Sequence, residues 1–358
     1  MRIAINGLAI GPQRTGIGRV TVQSLHALLA RRPDDEFWLF LPEDAPEGLF
    51  PDTPNLTTVR TDVSLDKPVR SLLFEEFELP RRLKGARIDL YYAPSFLLPF
   101  FPGAEREIIC VHDLAWRFFP KSKSFRFRSY MNARLPAALR RASQIVTVSA
   151  ATADDVVTEY GEEFADRLRV VPNGVDLDVF RPDPTRPETE EPFLAVVGNQ
   201  DPRKNIGTLL DALPAFRARM RPCRLVLVGP GARPLPAPPS VDFLGYLADD
   251  ELVSLYQSAL MVVQPSLYEG FGLPVLEAMA CGAPVACADI PVFREVTGGA
   301  AKFFDPRDAG SIAQVMADLA RDDDTRADLA ERGYARAQEF SWERTGDKLD
   351  AVFTEALS

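Results

Sequence analysis

The chain has 358 residues, a length typical of two domains, and its formal net charge is −10. This acidic balance argues against a broad nucleic-acid interface, because such an interface needs a basic field over the phosphate backbone. The four cysteines form no CxxC pair and the chain has only two histidines, so a structural zinc site is not expected. The sequence has neither a signal-peptide pattern nor a run of about 18 apolar residues, so we expect a cytoplasmic protein.

The N-terminal half alternates short apolar runs with longer amphipathic segments. The apolar runs are predicted as strands over residues 2–6, 37–41, 88–92, 107–111, 144–148 and 168–171. The amphipathic segments are predicted as helices over residues 18–31, 69–84, 125–141 and 151–160. Alternation of this kind is typical of a parallel sheet covered on both faces, so residues 1–175 are predicted to form one α/β domain.

Residues 176–192 (DLDVFRPDPTRPETEEP) interrupt the alternation with four prolines and many charges, a composition typical of an interdomain linker. The alternation then restarts. Further strands are predicted over residues 193–198, 224–229, 261–264 and 284–287. Further helices are predicted over residues 206–219, 249–258, 274–281, 308–320 and 326–340. A second α/β domain is therefore predicted over residues 193–340, followed by a C-terminal helix over residues 341–358.

Two successive α/β halves, each opening with a strand and a glycine turn, predict two facing Rossmann-like domains. Open parallel sheets bind ligands beyond the carboxyl ends of their strands. The cleft between the two domains is therefore the expected site.

The most informative segment is 264–285, QPSLYEGFGLPVLEAMACGAPV. Gly270 and Gly272 flank Phe271 after an apolar strand, Pro274 suits the first turn of a helix, and Gly282 suits its C-terminal stop. The free amides of this short helix would point at the glycine loop. They would form an anion site that fits a diphosphate, because glycines let a ligand approach the backbone closely.

Two glutamates stand out in the same segment. Glu277 has apolar neighbours on almost every side, so it is predicted to be buried and to need hydrogen-bonding partners. Two vicinal ribose hydroxyls would serve, since a carboxylate accepts two hydrogen bonds at once. Glu269 lies eight residues earlier, where a sugar attached to the diphosphate would lie. The alternative is that Glu277 pairs with a nearby arginine and that Glu269 is solvated.

A basic pair follows the first predicted strand of the second domain. Arg203 and Lys204 lie at a strand–helix turn, where they would face a diphosphate. The alternative is a solvated pair at a helix start. An anionic ligand is favoured, because a helix N-terminus is an unfavourable place for positive charge.

The order of these residues resembles the signature of the retaining glycosyltransferases of family four (glycosyl transferases group 1), which have the GT-B fold. The family pattern is two glutamates eight residues apart with G-F-G-L-P between them, as in Glu269 to Glu277, so Gly270, Phe271, Gly272 and Leu273 are implied to bind the donor. The resemblance also implies that Lys204 contacts the donor phosphates. Many members carry an arginine where this chain has Asn199, and Arg203 is the candidate substitute. Backbone near residues 243–246, ending at Tyr246, is implied to contact the base.

The resemblance extends to the N-terminal half, where the acceptor is expected to bind. Thr15-Gly-Ile-Gly-Arg19 resembles the family's glycine loop, so Gly16, Gly18 and Arg19 are expected near the donor phosphate and the acceptor. His112, in Val-His-Asp-Leu, resembles the family histidine that approaches the transferred sugar, with Asp113 orienting it. Ser149 and the segment 172–176 (PNGVD) also match family positions.

The implied function is metal-independent, retaining transfer of a sugar from a nucleotide-diphosphate sugar to a glycan or lipid-linked acceptor in cell-surface polysaccharide assembly, without a cofactor. The P-R-K-N variant resembles bacterial mannosyltransferases, which favours GDP-mannose as donor. The alternatives are a nucleotide-sugar epimerase of the same architecture, a phosphorylase and a non-enzymatic sugar-nucleotide sensor.

Residues 121–141 (KSKSFRFRSYMNARLPAALRR) contain seven basic residues and no acidic one, although the whole chain is acidic. Aromatic residues lie among and before them, which suits the interface of an anionic bilayer. Peripheral association with the inner face of the membrane is therefore one hypothesis. The alternative is a solvated basic helix whose aromatic residues pack into the core.

Overall fold

The computed structural model describes residues 1–11, 16–50, 53–64, 68–183, 185, 191–220, 223–230 and 240–358. The chain divides into two compact units. The first comprises Met1–Leu114, Phe125–Gly174 and Trp342–Ser358, and the second comprises Ala115–Ser124 and Val175–Ser341. Residues 184 and 186–190 of the predicted linker lie outside the described residues.

The first unit is built on a seven-stranded sheet. Its strands are β1 (Arg2–Asn6), β2 (Glu36–Leu41), β3 (Leu56–Arg60), β4 (Leu90–Ala93), β5 (Arg106–Val111), β6 (Gln144–Thr147) and β7 (Leu168–Val170). They lie in the order β3-β2-β1-β4-β5-β6-β7, and every neighbouring pair is parallel. The sheet reverses its order beside β1, so the carboxyl ends of β1, β4 and β5 form the edge at which such folds bind ligands.

Helices cover the sheet of the first unit. The helices of the first 160 residues are α1 (Gly16–Arg31), α2 (Pro68–Leu73), α3 (Leu79–Gly85), α4 (Ala115–Phe118), α5 (Phe125–Arg141) and α6 (Ala150–Tyr160). A π-helical turn, Phe74–Glu78, joins α2 directly to α3. The predicted helix over 69–84 is therefore helical throughout but carries a wider turn at its centre.

The second unit has a six-stranded parallel sheet. Its strands are β8 (Phe193–Val197), β9 (Arg224–Val228), β10 (Val241–Leu244), β11 (Met261–Gln264), β12 (Val285–Ala288) and β13 (Lys302–Phe304), in the order β10-β9-β8-β11-β12-β13. Its helices are α7 (Ile206–Arg217), α8 (Asp249–Ser258), α9 (Leu273–Ala280), α10 (Pro291–Thr297), α11 (Ala309–Arg321) and α12 (Asp323–Ala337). The order reverses at β8, so the loops after β8 and β11 meet at one edge.

The C-terminal helix, α13 (Trp342–Leu357), packs in the first unit. Gly346 allows a close approach to α1, because a Cβ at this position would lie 2.7 Å from the Cβ of Ala27. Phe353 is fully buried, and its ring meets that of Tyr92 edge-on at 5.3 Å. The apolar face of this helix therefore contributes to the core of the N-terminal sheet.

Every strand and helix predicted from the sequence is present, with ends that differ by at most three residues. The strands β3, β10 and β13 were not predicted. Each lies at an edge of its sheet, and each has intermediate or exposed side chains. An edge strand is covered on fewer sides than a central strand, so its sequence lacks the continuous apolar run that indicates the latter.

The four cysteines are all buried and unpaired, Cys110 in the first unit and Cys223, Cys281 and Cys287 in the second. Burial, together with the nearby carboxylate of Glu277, raises the pKa of the Cys281 thiol to about 12. These cysteines therefore act as small apolar side chains in the core, as the apolar runs around most of them indicate.

Candidate functional site

The loop after β8 carries the basic pair. Arg203 and Lys204 lie in a short 3₁₀ turn that precedes α7. Asn205 follows in a left-handed conformation with φ of 59°. Its side-chain amide donates to two backbone carbonyls of neighbouring loops, those of Pro265 at 3.0 Å and Pro306 at 2.6 Å. Asn205 thereby ties the basic turn to the loop that follows β11.

Glu269 in that second loop receives the basic pair. Lys204 Nζ donates to Glu269 Oε1 at 2.5 Å, and Arg203 Nη1 donates to Oε2 at 2.8 Å. Ser266 Oγ donates to Oε1 at 2.8 Å, and the Gln264 amide lies 3.4 Å from the same oxygen. We call Arg203, Lys204 and Glu269 the charged cluster.

The charged cluster is buried, with Lys204 and Glu269 each 8% exposed. Burial by itself raises the pKa of Glu269, but the adjacent Lys204 and Arg203 more than offset this and hold the pKa below its usual value. Both cations face the ionised Glu269, and a second carboxylate, that of Asp201, lies 3.9 Å from Arg203 Nε, so the charges of the turn balance in the absence of a ligand. The burial excludes a solvated Glu269 and a solvated basic pair, and it adds a contact between these groups that the sequence did not predict.

The glycine loop leads directly into α9. Gly272 has φ of +105°, and a Cβ there would lie 2.7 Å from the Phe293 ring, so both the backbone and the available space require glycine. Gly270 is buried beside it. Helix α9 starts at Leu273, with Pro274 in its first turn where a missing N–H is tolerated. The amide end of the helix therefore lies at the loop, as predicted.

The predicted donor contacts Phe271 and Glu277 are both buried in the second unit. The Phe271 ring meets that of Phe340 edge-on at 5.9 Å, so this side chain anchors the loop in the core. Glu277 lies on α9, where the residues from Val275 onwards are buried, and it is itself 6% exposed. The Tyr256 hydroxyl donates to Glu277 Oε2 at 3.2 Å, which identifies one partner of the buried carboxylate.

A cavity of about 210 Å³ opens at the carboxyl ends of β8, β9 and β10. Gly198 and Gly229 approach closely here, since a Cβ on Gly229 would lie 2.3 Å from the carbonyl oxygen of Gly198. The walls also include Phe243 and the residues that follow it. Asn199 follows Gly198, and its Oδ1 accepts from the Asp201 amide at 3.4 Å. Tyr246 is 63% exposed just after the cavity wall.

His112 lies at the carboxyl end of β5 in the first unit. Its Nε2 lies 2.8 Å from the Pro94 carbonyl oxygen, which only accepts hydrogen bonds, so Nε2 carries the proton. Burial lowers the pKa of His112, but Cys110, the Pro94 carbonyl and Asp113 outweigh this and raise the pKa to about 9. The Phe96 ring meets the imidazole edge-on at 5.8 Å. The imidazole is thus held rigidly at a strand end.

The glycine loop of the first unit is described from Gly16 onwards, and Thr15 lies outside the described residues. A Cβ on Gly16 would meet no atom within 4 Å, so packing does not require glycine there. Gly18 is buried in α1, and Arg19 follows it. Ser149 caps α6, because its Oγ accepts from the Thr152 amide at 3.0 Å.

Several side chains that shape the site were not singled out from the sequence. Ser266 and Gln264 support Glu269, Tyr256 supports Glu277, and Asn205 joins two loops. The one local signal was Asn205, since asparagine before a helix is suited to a left-handed turn. Ser266 and Gln264 lie three and five residues before Glu269, and Tyr256 lies 21 residues before Glu277, so no regular helical or strand pattern marks these contacts. Within the described ranges, no group of three or more His, Cys, Asp or Glu side chains could hold a metal ion.

Comparison with known protein families identifies the chain as a glycosyltransferase. The model described as "Glycosyl transferases group 1" matches residues 180–336, which contain the charged cluster and the cavity. The model described as "Glycosyltransferase Family 4" matches residues 14–179. The two matches are consecutive and span both units, and the chain belongs to glycosyltransferase family 4.

Named relatives agree with this assignment. O-antigen chain mannosyltransferase B of Escherichia coli is 31% identical over 366 residues, which cover 92% of this chain and 93% of that protein. O-antigen chain mannosyltransferase RfbU of Salmonella typhimurium is 31% identical over 217 residues, covering 59% of this chain and 60% of that protein.

Solved structures resemble the whole chain. Sucrose-phosphate synthase of Thermosynechococcus elongatus has a TM-score of 0.75 at 21% identity, covering 99% of this chain and 98% of that one. WaaG, a glycosyltransferase involved in lipopolysaccharide biosynthesis, has a TM-score of 0.72 at 16% identity. The match covers 98% of this chain and 99% of that one. At these identities the likeness concerns the fold, and the predicted GT-B class is confirmed. No helix in the described part of the chain is both long and apolar enough to cross a membrane.

Proposed function

We propose that this glycosyltransferase transfers a hexose, with mannose as the leading candidate, from a nucleotide-diphosphate sugar to a glycan or lipid-linked acceptor in cell-surface polysaccharide assembly. The charged cluster carries the proposal, because two cationic side chains in one turn, Arg203 and Lys204, together with the amide end of α9 match a diphosphate. The names of the two O-antigen relatives support mannose as the sugar. The P-R-K-N resemblance supports GDP-mannose as the donor.

The donor would bind in the second unit with its parts in a fixed order. The cavity beside Gly198 and Gly229 suits a flat base that contacts backbone, with Tyr246 at its rim. Glu277 would accept hydrogen bonds from the ribose hydroxyls, with the Tyr256 hydroxyl holding its second oxygen. The diphosphate would then reach Lys204 and the amide end of α9.

The transfer step would need no metal, because Lys204, Arg203 and the amide end of α9 stabilise the charge that develops on the leaving diphosphate. The bond between the anomeric carbon and the β-phosphate oxygen breaks as the acceptor oxygen attacks from the same face, which retains the configuration. The acceptor proton passes to the leaving phosphate oxygen. Glu269 and His112 would contact the transferred sugar.

The acceptor would be presented near an anionic membrane surface. Six phenylalanines are exposed within the described residues, and all lie between residues 77 and 127, with Phe125 at 74% and Phe100 at 63%. The basic residues Lys121, Lys123 and Arg126 are exposed nearby in sequence. Exposed aromatic residues combined with positive charge suit a peripheral site on anionic lipids, which supports a lipid-linked acceptor. This would place the protein at the inner face of the membrane.

The donor site is tested by a thermal-shift titration of nucleotide sugars with wild type and with Glu277→Ala. Wild type should be stabilised most by GDP-mannose, by about 2.7 kcal/mol at 100 times the dissociation constant. Glu277→Ala should lose this stabilisation, because the ribose anchor is removed. Tyr256→Phe is the control, since it keeps the carboxylate. Equal binding of GDP by wild type and Glu277→Ala would exclude the ribose role.

Turnover then separates the transferase from the epimerase alternative. A transferase consumes GDP-mannose rapidly only when an acceptor glycan is present, and its product keeps the α configuration by NMR. Conversion of the donor into an epimeric nucleotide sugar without an acceptor would support the alternative. Turnover should persist in EDTA, and a loss that Mg²⁺ restores would overturn the metal-independent mechanism.

A further inference from the structure

The π-helical turn between α2 and α3 holds two consecutive glutamates, Glu75 and Glu76. A π turn places one extra residue in the helix and is frequent at functional sites. The two glutamates of this turn have different surroundings.

Glu76 has a complete set of partners. Arg134 on α5 forms an ion pair with its Oε1 at 2.7 Å, the Tyr130 hydroxyl donates to the same oxygen at 3.3 Å, and the Phe100 amide donates to Oε2 at 2.5 Å. Glu76 is 8% exposed. Its role is to join the π turn to α5 and to the loop after β4.

Glu75 has no hydrogen-bond or ion-pair partner among the described residues, and its side chain is only partly exposed. Burial and the neighbouring Glu76 carboxylate together raise the pKa of Glu75 to about 7, although Arg134 opposes the rise. A largely buried carboxyl without a partner is costly, and it needs an explanation beyond the fold.

The sheet nearby holds Tyr91 on β4, which is fully buried and whose hydroxyl interacts with the Asn6 side chain. Burial raises the pKa of Tyr91, and the carboxylate of Glu75 adds to the rise while the Asn6 side chain opposes it. Asn6 is the last residue of β1. The ring of Phe74, the residue before Glu75, lies 6.5 Å from that of Phe40, which pairs with Asn6, so Glu75 lies near the carboxyl edge of the N-terminal sheet.

This edge also holds His112, which follows β5 directly. Strands β1 and β5 flank β4, so their carboxyl ends lie roughly 10 Å apart, two interstrand spacings. A pyranose ring with its hydroxyls spans a large part of that distance. An acceptor sugar placed next to a transferred sugar at His112 would thus bring its hydroxyls towards Glu75.

We propose that Glu75 is an acceptor-binding residue whose carboxyl hydrogen-bonds hydroxyl groups of the acceptor sugar. The proposal rests on the proposed transfer to a glycan acceptor. A carboxylate accepts from two vicinal hydroxyls at once, and a protonated carboxyl can also donate to a sugar oxygen. Both modes suit a polyol and would give Glu75 the partners that it does not have in the described structure.

The test compares Glu75→Gln with Glu78→Gln, which lies on the same π turn but pairs with Arg70 at the surface. Glu75→Gln should raise the acceptor KM by about tenfold or more and leave the GDP dissociation constant unchanged. The ionisation near pH 7 should disappear from the pH profile of kcat/KM for the acceptor. Glu78→Gln should keep wild-type values throughout. An acceptor KM within about twofold of wild type for Glu75→Gln would overturn the proposal.

A binding measurement separates this inference from the proposed function. Carboxyl-carbon NMR should show one glutamate that titrates near pH 7, absent in Glu75→Gln, and mannobiose should perturb that resonance. If wild type transferred no sugar to any acceptor, the proposed function would fail, and mannobiose would still report on Glu75. A resonance that mannobiose does not perturb would overturn the assignment of Glu75 alone.

Discussion

Two carboxyls with little exposure to solvent, Glu269 in the second unit and Glu75 in the first, show how neighbouring charges set the pKa of such a group. Glu269 is surrounded by Lys204, Arg203 and Ser266, and its pKa lies below the usual value. Glu75 faces another carboxylate, and its pKa is raised to about 7. Burial opposes ionisation at both positions, so the cations beside Glu269 make the difference.

The comparison has a functional meaning. An ionised Glu269 holds the two cations Lys204 and Arg203 in place, and cationic groups fixed in this way suit an anionic donor. A carboxyl that titrates near neutral pH suits uncharged hydroxyls, because it can accept or donate hydrogen bonds. The two units thus carry different kinds of carboxyl site on sheets of the same type.

The largest expected effect comes from removing a cation of the charged cluster. Lys204→Ala leaves Glu269 buried with one partner fewer, so the free energy of unfolding should fall by about 3 kcal/mol. Turnover should fall by about 10² to 10³-fold, because one group that stabilises the leaving diphosphate is lost. Urea unfolding and steady-state kinetics measure the two effects.

A surface ion pair is the control for that effect. Arg294 pairs with Asp289 at 2.5 Å, but its side chain is 61% exposed. Arg294→Ala should change the free energy of unfolding by less than about 1 kcal/mol. Adding Glu269→Gln to Lys204→Ala should restore part of the stability and none of the turnover. Equal destabilisation by Arg294→Ala and Lys204→Ala would contradict the difference between buried and surface pairs.

An intermediate effect is expected in the pH dependence of stability. The folded pKa of Glu75 lies above the unfolded value of 4.5, so the folded state binds more protons between pH 4.5 and about 7. The free energy of unfolding should therefore fall as the pH rises through this window, by up to about 3 kcal/mol, and Glu75→Gln should remove that fall.

Glu269 should act with the opposite sign and in another window. Its folded pKa is lowered, so its contribution is present above the unfolded value of 4.5 and is lost as the pH falls through the folded pKa. Urea unfolding of wild type and Glu75→Gln at pH 5 and pH 8 tests the first effect. An equal pH dependence for the two proteins would contradict the raised pKa of Glu75.

The smallest effects are expected for basic side chains at the surface. Arg134 and Arg141 of the 121–141 segment form ion pairs with the buried Glu76 and Glu107. Lys123 and Arg126 are exposed, and each should contribute about 1 kcal/mol to binding of an anionic bilayer. Lys123→Glu with Arg126→Glu should therefore weaken co-sedimentation with phosphatidylglycerol vesicles at low salt.

The matched control is Arg81→Glu with Lys84→Glu on α3, which changes the net charge by the same amount at exposed positions. This control should retain most of the vesicle binding. High salt should weaken the binding of wild type, and neutral vesicles should not bind it. No binding of wild type to anionic vesicles at low salt would favour a soluble acceptor.

Local patterns in the sequence determined much of this protein. Apolar runs and amphipathic periodicity located the central strands and the long helices, because each pattern reports the burial of neighbouring residues. Gly272 and Pro274 marked the start of α9, since glycine and proline restrict or permit particular backbone angles. The buried position of Glu277 followed from its apolar neighbours on the same helix.

Tertiary structure decided the partners of the charged groups. Lys204 and Glu269 are 65 residues apart, and the order of β8 and β11 in the sheet brings them together. The edge strands, the support of Glu277 by Tyr256 and the exposure of the phenylalanines depend in the same way on which segments pack together. The π turn and the unpartnered Glu75 also needed the structure, because helical periodicity does not reveal one extra residue in a turn. Sequence periodicity reports which side of a segment is buried, whereas charge state depends on atoms that the fold brings from elsewhere in the chain.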